Sequence, residues 1–123
     1  EKLKHSVLIP EPDSIGGMDP VASQILDFIA RNYDQKIALA DLEEELHYSE
    51  RYLNQRFQKA LGTTVIEYLN RYRIQKALAM LMDEGNAISD IGWKCGIGDY
   101  KYFSYVFKKY MGCSPKEYRI KII

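Results

Sequence analysis

Two similar stretches decide the fold: residues 39–62, LADLEEELHYSERYLNQRFQKALG, and residues 88–112, ISDIGWKCGIGDYKYFSYVFKKYMG. The second copy follows the first at an offset of 49 residues before the turn and 50 after it, so its turn holds one additional residue. Each copy has a short amphipathic segment, a tight turn and a longer amphipathic segment with helical spacing. This order is typical of a helix-turn-helix motif, and its repetition is a stronger signal than a single pair of helices.

The segments around the two copies predict further helices. Asp19-Pro20 begins an apolar pattern that continues to Tyr33, and Ser114-Pro115 opens a last short helix. Between the copies no Gly or Pro interrupts residues 63–82, which predicts one long helix. The sequence therefore predicts an all-α fold of about seven helices, in which a long helix joins two helix-turn-helix motifs. The predicted boundaries are a linker over 1–19 and a double motif over 20–123, divided into 19–62, 63–83 and 84–123, with recognition helices at about 49–60 and 99–110.

Composition excludes several classes of protein. The 123 residues are 46% hydrophobic and 28% charged, which suits one small globular domain. No apolar run approaches the roughly 18 residues of a membrane span, and the first residues lack the apolar core of a signal peptide. The two cysteines, Cys95 and Cys113, are too few for a disulfide scaffold, so we expect a reducing, cytoplasmic location. Because the first residue is Glu1 and not Met, we expect a longer parent protein.

Charge is distributed unevenly along the chain, although the formal net charge is zero. Residues 1–45 carry four Lys or Arg against ten Asp or Glu, a net charge of −6. Residues 46–123 carry thirteen against seven, a net charge of +6. This asymmetry favours a polyanionic partner for the second part of the chain, and a mixed, solvated surface is the alternative.

The sequence contains no pattern typical of catalysis or metal binding. His5 and His47 are isolated, so we predict no metal site and no cofactor. No carboxylate pair or Ser/His/Asp set has suitable spacing, and a thiol enzyme using Cys95 or Cys113 would lack a histidine partner. We therefore expect that the protein is not an enzyme.

The aromatic residues allow two interpretations, stacking on nucleobases or packing in the core. Helical spacing predicts core positions for Trp93, Phe103, Phe107 and Tyr118. On the same basis we interpret most of the ten tyrosines as packed side chains.

Residues 92–109 read GWKCGIGDYKYFSYVFKK, and Gly112, Ser114-Pro115 and Tyr118-Arg119 follow them. This stretch resembles the second helix-turn-helix of AraC/XylS-family regulators, whose signature reads approximately A-x-x-V-G-F, S-Y-F-S-R-V-F-K-K and G-x-S-P-x-x-Y-R. Residues 48–57, YSERYLNQRF, are similar to the first motif of that family, and residues 68–71 and 73–74 resemble its linker helix. The resemblance covers about residues 21–120.

Four positions depart from the family pattern. His47 stands where the first turn usually has Gly, and histidine tolerates a positive φ better than most residues. Gly92 replaces a small Ala, and Ile97 replaces the usual Phe. Tyr105 stands where the second recognition helix commonly has Arg, which weakens the expected base contact from that helix.

The resemblance implies a DNA-binding domain of a bacterial transcription regulator with a recognition helix in each of two successive major grooves. A connecting helix over residues 63–82 would be about 30 Å long, close to the roughly 34 Å of one DNA turn. The base-contact candidates that the resemblance implies are Arg51, Asn54 and Gln55 on the first recognition helix and Tyr100, Lys101 and Tyr105 on the second. The phosphate-contact candidates are Ser49, Lys59, Thr63, Arg71, Lys108, Lys109 and Ser114.

The implied partners are double-stranded DNA, RNA polymerase and a regulatory domain upstream of Glu1; no membrane partner is expected. That domain would be a ligand-binding cupin-like domain or a phosphoacceptor receiver, and the sequence leaves activation and repression open. The alternative function is an all-helical protein-interaction module without DNA binding, which the neutral net charge and Tyr105 motivate.

Overall fold

The computed structural model describes residues 18–122, which form seven α-helices and no β-strand. The helices are α1 (Pro20–Asn32), α2 (Leu39–Leu46), α3 (Glu50–Leu61), α4 (Val65–Leu81), α5 (Ile88–Lys94), α6 (Tyr100–Met111) and α7 (Pro115–Ile122). The predicted all-α class and the two helix-turn-helix motifs are confirmed, and the predicted helix limits agree to within about two residues. The linker predicted over 1–19 lies outside the described residues, except for Met18 and Asp19.

The described helices divide into two compact units, and the division falls within α4 between Leu69 and Asn70. The N-terminal unit, residues 18–69, contains α1, α2, α3 and the start of α4. The C-terminal unit, residues 70–122, contains the rest of α4 with α5, α6 and α7. Their leading helices have equivalent buried positions: Val21, Ala22, Ile25 and Ile29 correspond to Arg73, Ile74, Ala77 and Leu81, each 52 residues later. The repeat therefore includes a leading helix, which the sequence pattern did not reveal.

Local capping explains where the two long motif helices begin and end. The Ser49 hydroxyl accepts the backbone N–H three residues later at 3.1 Å, and the Asp99 carboxylate makes the equivalent contact at 2.8 Å. Gly62 and Gly112 end the helices at φ values of 76° and 81°, which glycine adopts without a Cβ clash. These caps confirm the helix starts predicted at Ser49 and Asp99.

The turn between α2 and α3 depends on His47, whose φ is 63°. It is the only non-glycine residue with a positive φ between residues 18 and 122. Its N–H donates to the Glu43 carbonyl oxygen at 2.8 Å and ends α2. Histidine therefore fills the left-handed position at which the related motif usually has glycine.

Each unit has its own aromatic core. In the N-terminal unit Phe57 is fully buried on α3, and its ring meets Tyr68 of α4 edge-on at 5.4 Å between centroids. In the C-terminal unit the ring of Phe107 contacts Phe103 at 5.7 Å and Tyr118 of α7 at 5.8 Å. One face of α3 and one face of α6 are therefore buried in the core of their own unit, and the opposite faces are exposed.

Arg119 ties α7 to the end of α4 within the C-terminal unit. Its guanidinium donates to the carbonyl oxygens of Leu81 at 2.9 Å, Asp83 at 3.1 Å and Asn86 at 2.9 Å. The last carbonyls of a helix have no intrahelical donor, so this side chain supplies one. This role of Arg119 was not predicted; only its place in the family signature was noted.

The predicted burial of Phe103 and Phe107 is confirmed and Tyr118 is partly buried, but the prediction for Trp93 is wrong because its side chain is 65% exposed. Helix α5 has seven residues and buries Ile91 and Gly92, which leaves the next position outside. The interpretation of most tyrosines as packed agrees with the structure, since six of the ten are buried or partly buried. The other four are exposed: Tyr48, Tyr100, Tyr102 and Tyr105.

Candidate nucleic-acid interface

The exposed face of α3 gathers most of the predicted contact residues of the N-terminal unit. It lies opposite Leu53 and Phe57, which are fully buried. A shallow depression on this face is lined by Arg51, Asn54, Gln55, Gln58 and Lys59. Gln58 was missed by the sequence reasoning, although its spacing of four residues from Asn54 and three from Gln55 places it on the same side of the helix. The surface offers amide and cationic groups suited to base edges and phosphates.

Asn54 differs from its neighbours on this face because its side chain has an internal partner. Its Oδ1 accepts the backbone N–H of Val65, the first residue of α4, at 3.1 Å. The contact is partly buried, whereas Arg51 and Gln55 are exposed. The structure therefore separates Asn54 from the other two predicted base readers.

Arg56 lies on the flank of α3 and forms a charge cluster that sequence reasoning missed. Its Nε donates to Asp19 Oδ2 at 3.0 Å, its Nη2 donates to the second Asp19 oxygen, and its Nη1 donates to the Tyr52 hydroxyl at 2.7 Å. The hydrogen bond from Arg56 holds the pKa of the Asp19 carboxyl below its usual value. Asp19 occupies the N-cap position of α1, but its side chain makes no cap hydrogen bond there and binds this guanidinium.

The exposed face of α6 is aromatic and cationic. Tyr100, Lys101, Tyr105 and Lys108 are all exposed on it. Tyr105 is 67% exposed, and its ring stacks on that of Tyr102 with centroids 6.4 Å apart. Phenol rings and lysines contact sugars and phosphates readily but distinguish bases less sharply than Arg, Asn or Gln side chains do.

Two of the predicted phosphate contacts lie at helix N-termini that already hold a carboxylate. The Thr63 hydroxyl donates to Glu67 Oε1 at 2.9 Å in the first turn of α4. The backbone N–H of Ser114 donates to Glu117 Oε1 at 2.8 Å, and this bond lowers the pKa of Glu117. A phosphate at either place would compete with that carboxylate for the same donors. The hydroxyl of Ser49, another candidate, accepts a hydrogen bond as the α3 cap.

The remaining phosphate candidates are cationic. Lys59, Lys108 and Lys109 are exposed, and Lys109 Nζ lies 5.7 Å from the Tyr110 ring. The guanidinium carbon of Arg71 lies 5.9 Å from the same ring, within the C-terminal unit. Its Nε is buried and has no hydrogen-bond partner among the described atoms. All three lysines are thus exposed, whereas Arg71 is partly buried and partly engaged in packing.

The described residues contain no cluster of side chains suited to holding a metal ion. Between residues 18 and 122 no three His, Cys, Asp or Glu side chains are grouped to hold a metal ion. Burial raises the pKa of the Cys95 thiol to about 11, so that thiol stays protonated and unreactive near neutral pH. None of the seven helices combines the length and the apolar character that crossing a bilayer requires.

Comparison with known proteins identifies relatives of this arrangement. A family model described as "Helix-turn-helix domain" matches residues 42–121. The transcriptional regulatory protein HptR of Staphylococcus aureus is 40% identical over 100 residues, which cover 81% of this chain and 39% of HptR. The chain thus spans about two-fifths of that relative.

Two solved structures extend the likeness to the fold. The C-terminal domain of AraT, a response regulator from Geobacillus stearothermophilus, superimposes with a TM-score of 0.82 at 30% identity over 86% of this chain and 88% of that one. A DNA-binding transcriptional dual regulator from Escherichia coli K-12 gives a TM-score of 0.71 at 27% identity over 84% and 98% of the two chains.

Proposed function

The chain belongs to the AraC-type helix-turn-helix family, and from that premise we propose that it is the DNA-binding part of a bacterial transcription regulator, with α3 and α6 as recognition helices. Sequence-specific binding of double-stranded DNA for transcription regulation is the function that this membership supports. One observation carries the assignment of the two helices. Each buries one face in its own unit and exposes the opposite face, which is cationic and polar on α3 and cationic and aromatic on α6.

We assign most of the base reading to α3. Arg51 can form a fork with the O6 and N7 atoms of guanine, and Gln55 can pair with the N6 and N7 atoms of adenine. On α6 the corresponding exposed side chains are Tyr100, Lys101 and Tyr105, which suit sugars, phosphates and thymine methyl groups. The first motif then sets most of the sequence preference, and the second contributes mainly affinity.

Exposed lysines are the main phosphate ligands in this proposal. Lys59 on α3 and Lys108 and Lys109 on α6 are exposed near the ends of their helices. Ser49, Thr63 and Ser114 take part in internal hydrogen bonds, which makes the lysines better placed to bind an incoming phosphate. Arg71 is a secondary candidate because its guanidinium is stacked on Tyr110.

We further propose that the two recognition helices enter successive major grooves on one side of the duplex. The 17 residues of α4 correspond to about 26 Å of helix, comparable to the roughly 34 Å of a DNA turn. A continuous helix between the motifs would hold them at a fixed spacing. The binding site would then consist of two unlike blocks.

The rest of the regulator is assigned from its relatives. AraT is named a response regulator, so we propose a phosphoacceptor receiver in the full-length protein, acting on this domain. Contact with RNA polymerase and a cytoplasmic location follow from the proposed role at promoters.

Selection of bound duplexes from a random pool tests the proposal. We expect two blocks of preferred bases centred about 10 base pairs apart, with more information in the block under α3. Replacing Gln55 with Ala should relax one or two positions in that block, whereas replacing Lys101 with Ala should lower affinity evenly across sequences. Absence of duplex binding even at low salt would favour the protein-interaction module. Information confined to the block under α6 would reverse the ranking of the motifs.

A further inference from the structure

Asn54 lies at the border between the exposed and buried faces of α3, and its side chain forms a hydrogen bond to α4. It stands between the buried Leu53 and the exposed Gln55. Its Oδ1 accepts the N–H of Val65, eleven residues later, at 3.1 Å. Val65 is the first residue of α4, and the first N–H groups of a helix have no intrahelical acceptor. Asn54 therefore acts as an N-terminal cap for α4 from a different helix.

The chemistry of this contact fixes the orientation of the Asn54 amide. A backbone N–H can only donate, so the atom that faces it must be the amide oxygen and not the nitrogen. Reading adenine in the usual way needs the amide oxygen to accept from N6 while the nitrogen donates to N7. One lone pair of this oxygen accepts the Val65 N–H and the oxygen is directed at α4, so the groups that Asn54 presents to a nucleic acid are mainly its N–H donors.

We propose that Asn54 is a positioning residue, which sets α3 against the first turn of α4 instead of reading a base. This inference rests on the proposed DNA binding and narrows it, because base reading on α3 then belongs to Arg51 and Gln55. The first turn of α4 is otherwise capped internally, since Thr64 Oγ1 accepts the N–H of Glu67 at 3.2 Å. Asn54 is the side chain that connects this capped turn to the recognition helix.

Positioning and base reading predict different consequences of a substitution. Loss of a base contact changes the preference at one position of the site and leaves the fold intact. Loss of the α3–α4 contact lowers stability and shifts the whole recognition helix, so all sequences are affected alike. Stability and base preference, measured on the same variants, therefore separate the two roles.

The test compares Asn54→Ala with Gln55→Ala in the full 123-residue chain. Each variant is measured by thermal unfolding and by binding to a panel of duplexes that carry every single-base change in the selected site. We expect Asn54→Ala to lower the Tm by about 2–6 °C, as for a lost helix cap. Its affinity should fall by a common factor of about 3–10 on every duplex, with the rank order unchanged. Gln55→Ala should keep the wild-type Tm and flatten one or two positions.

Asn54→Asp guards against a variant that fails to fold. Its carboxylate can still accept the Val65 N–H and suits a helix N-terminus, so the Tm should return toward the wild-type value. Its rank order of duplexes should again match the wild type. Loss of preference at a defined base in either Asn54 variant would overturn the proposal, as would an unchanged Tm and affinity in Asn54→Ala. Wild-type protein that binds no duplex would instead contradict the proposed function.

Discussion

Gly92 lies where the turn of the second motif packs closely against α5 and the start of α6. The N–H groups of Ile97 and Gly98 both donate to its carbonyl oxygen, at 2.9 and 3.0 Å, so the turn folds back onto α5. A Cβ at position 92 would lie 2.4 Å from the Gly98 carbonyl oxygen and 2.7 Å from Phe103 Cβ. Neither atom belongs to the far end of a flexible side chain. The alanine common in related motifs therefore does not fit this turn without movement of the backbone.

We predict that Gly92→Ala destabilises the chain, although alanine is the better helix former. The overpacked contact should cost about 1–3 kcal/mol of unfolding free energy, measured by urea denaturation. Ser89→Ala is the matched control, because Ser89 is an exposed position of the same helix and should be neutral or slightly stabilising. Equal denaturation midpoints for Gly92→Ala and wild type would show that the turn relaxes at no cost.

Single-residue roles were predictable from sequence where local spacing determines them. Arg51, Gln55 and Lys59 are exposed on one face of α3, as helical periodicity and the family resemblance indicated. The Arg56–Asp19 pair joins residues 37 positions apart, and no local pattern records such a contact. The same limit applies to the cap from Asn54 to Val65, because an asparagine on a polar helix face looks solvated in a sequence. Hydrogen bonds between residues far apart in the chain were thus the part of the site that could not be predicted from the sequence.

At the level of helices, boundaries were predictable because they depend on caps within a few residues. Ser49, Asp99, Gly62 and Gly112 occupy the starts and ends that their chemistry favours. The orientation of the seven-residue α5 was less predictable, since two turns define a buried face poorly and Trp93 was assigned to the wrong side. The buried faces of the long helices, which have several core contacts, were therefore predicted correctly, and the buried face of the shortest helix was not.

The proposed role of α4 as a spacer leads to a prediction at this scale. Inserting one alanine between Leu69 and Asn70 turns the following helix by about 100° and advances it by about 1.5 Å. The insertion falls at the division between the units, so the buried positions of each stay in register with their own partners. We expect circular dichroism to show retained helix, while specific affinity falls to that of a single motif.

Asn70→Ala is the control for this insertion, since it changes the same place without changing the helical phase. It should bind the two-block site nearly as well as wild type. Footprinting of the insertion variant on that site should protect one block only. Unchanged affinity together with protection of both blocks would mean that the motifs are flexibly tethered, and the spacer role of α4 would be wrong.

For the binding of a polyanion by the whole molecule, the positions of the charges matter more than the net charge. Residues 46–123 carry a net charge of +6, and residues 1–45 carry −6. Exposed lysines on α3 and α6 lie in the basic part, while α2 carries the acidic run from Glu43 to Glu45. A zero net charge is therefore compatible with a polyanionic partner that contacts only the basic faces.

This distribution predicts a steep salt dependence of duplex binding. Each lysine that neutralises a phosphate releases condensed counterions and contributes about −0.9 to the slope of log affinity against log salt. Lys59→Gln and Lys108→Gln should each reduce the magnitude of the slope by about that amount and weaken binding similarly on all sequences. Lys36→Gln removes an exposed lysine from the acidic part, so its slope should equal that of wild type. A flat wild-type slope, or an equal reduction from all three variants, would show that the lysines of the recognition helices do not contact phosphate and that charge acts only as a diffuse field.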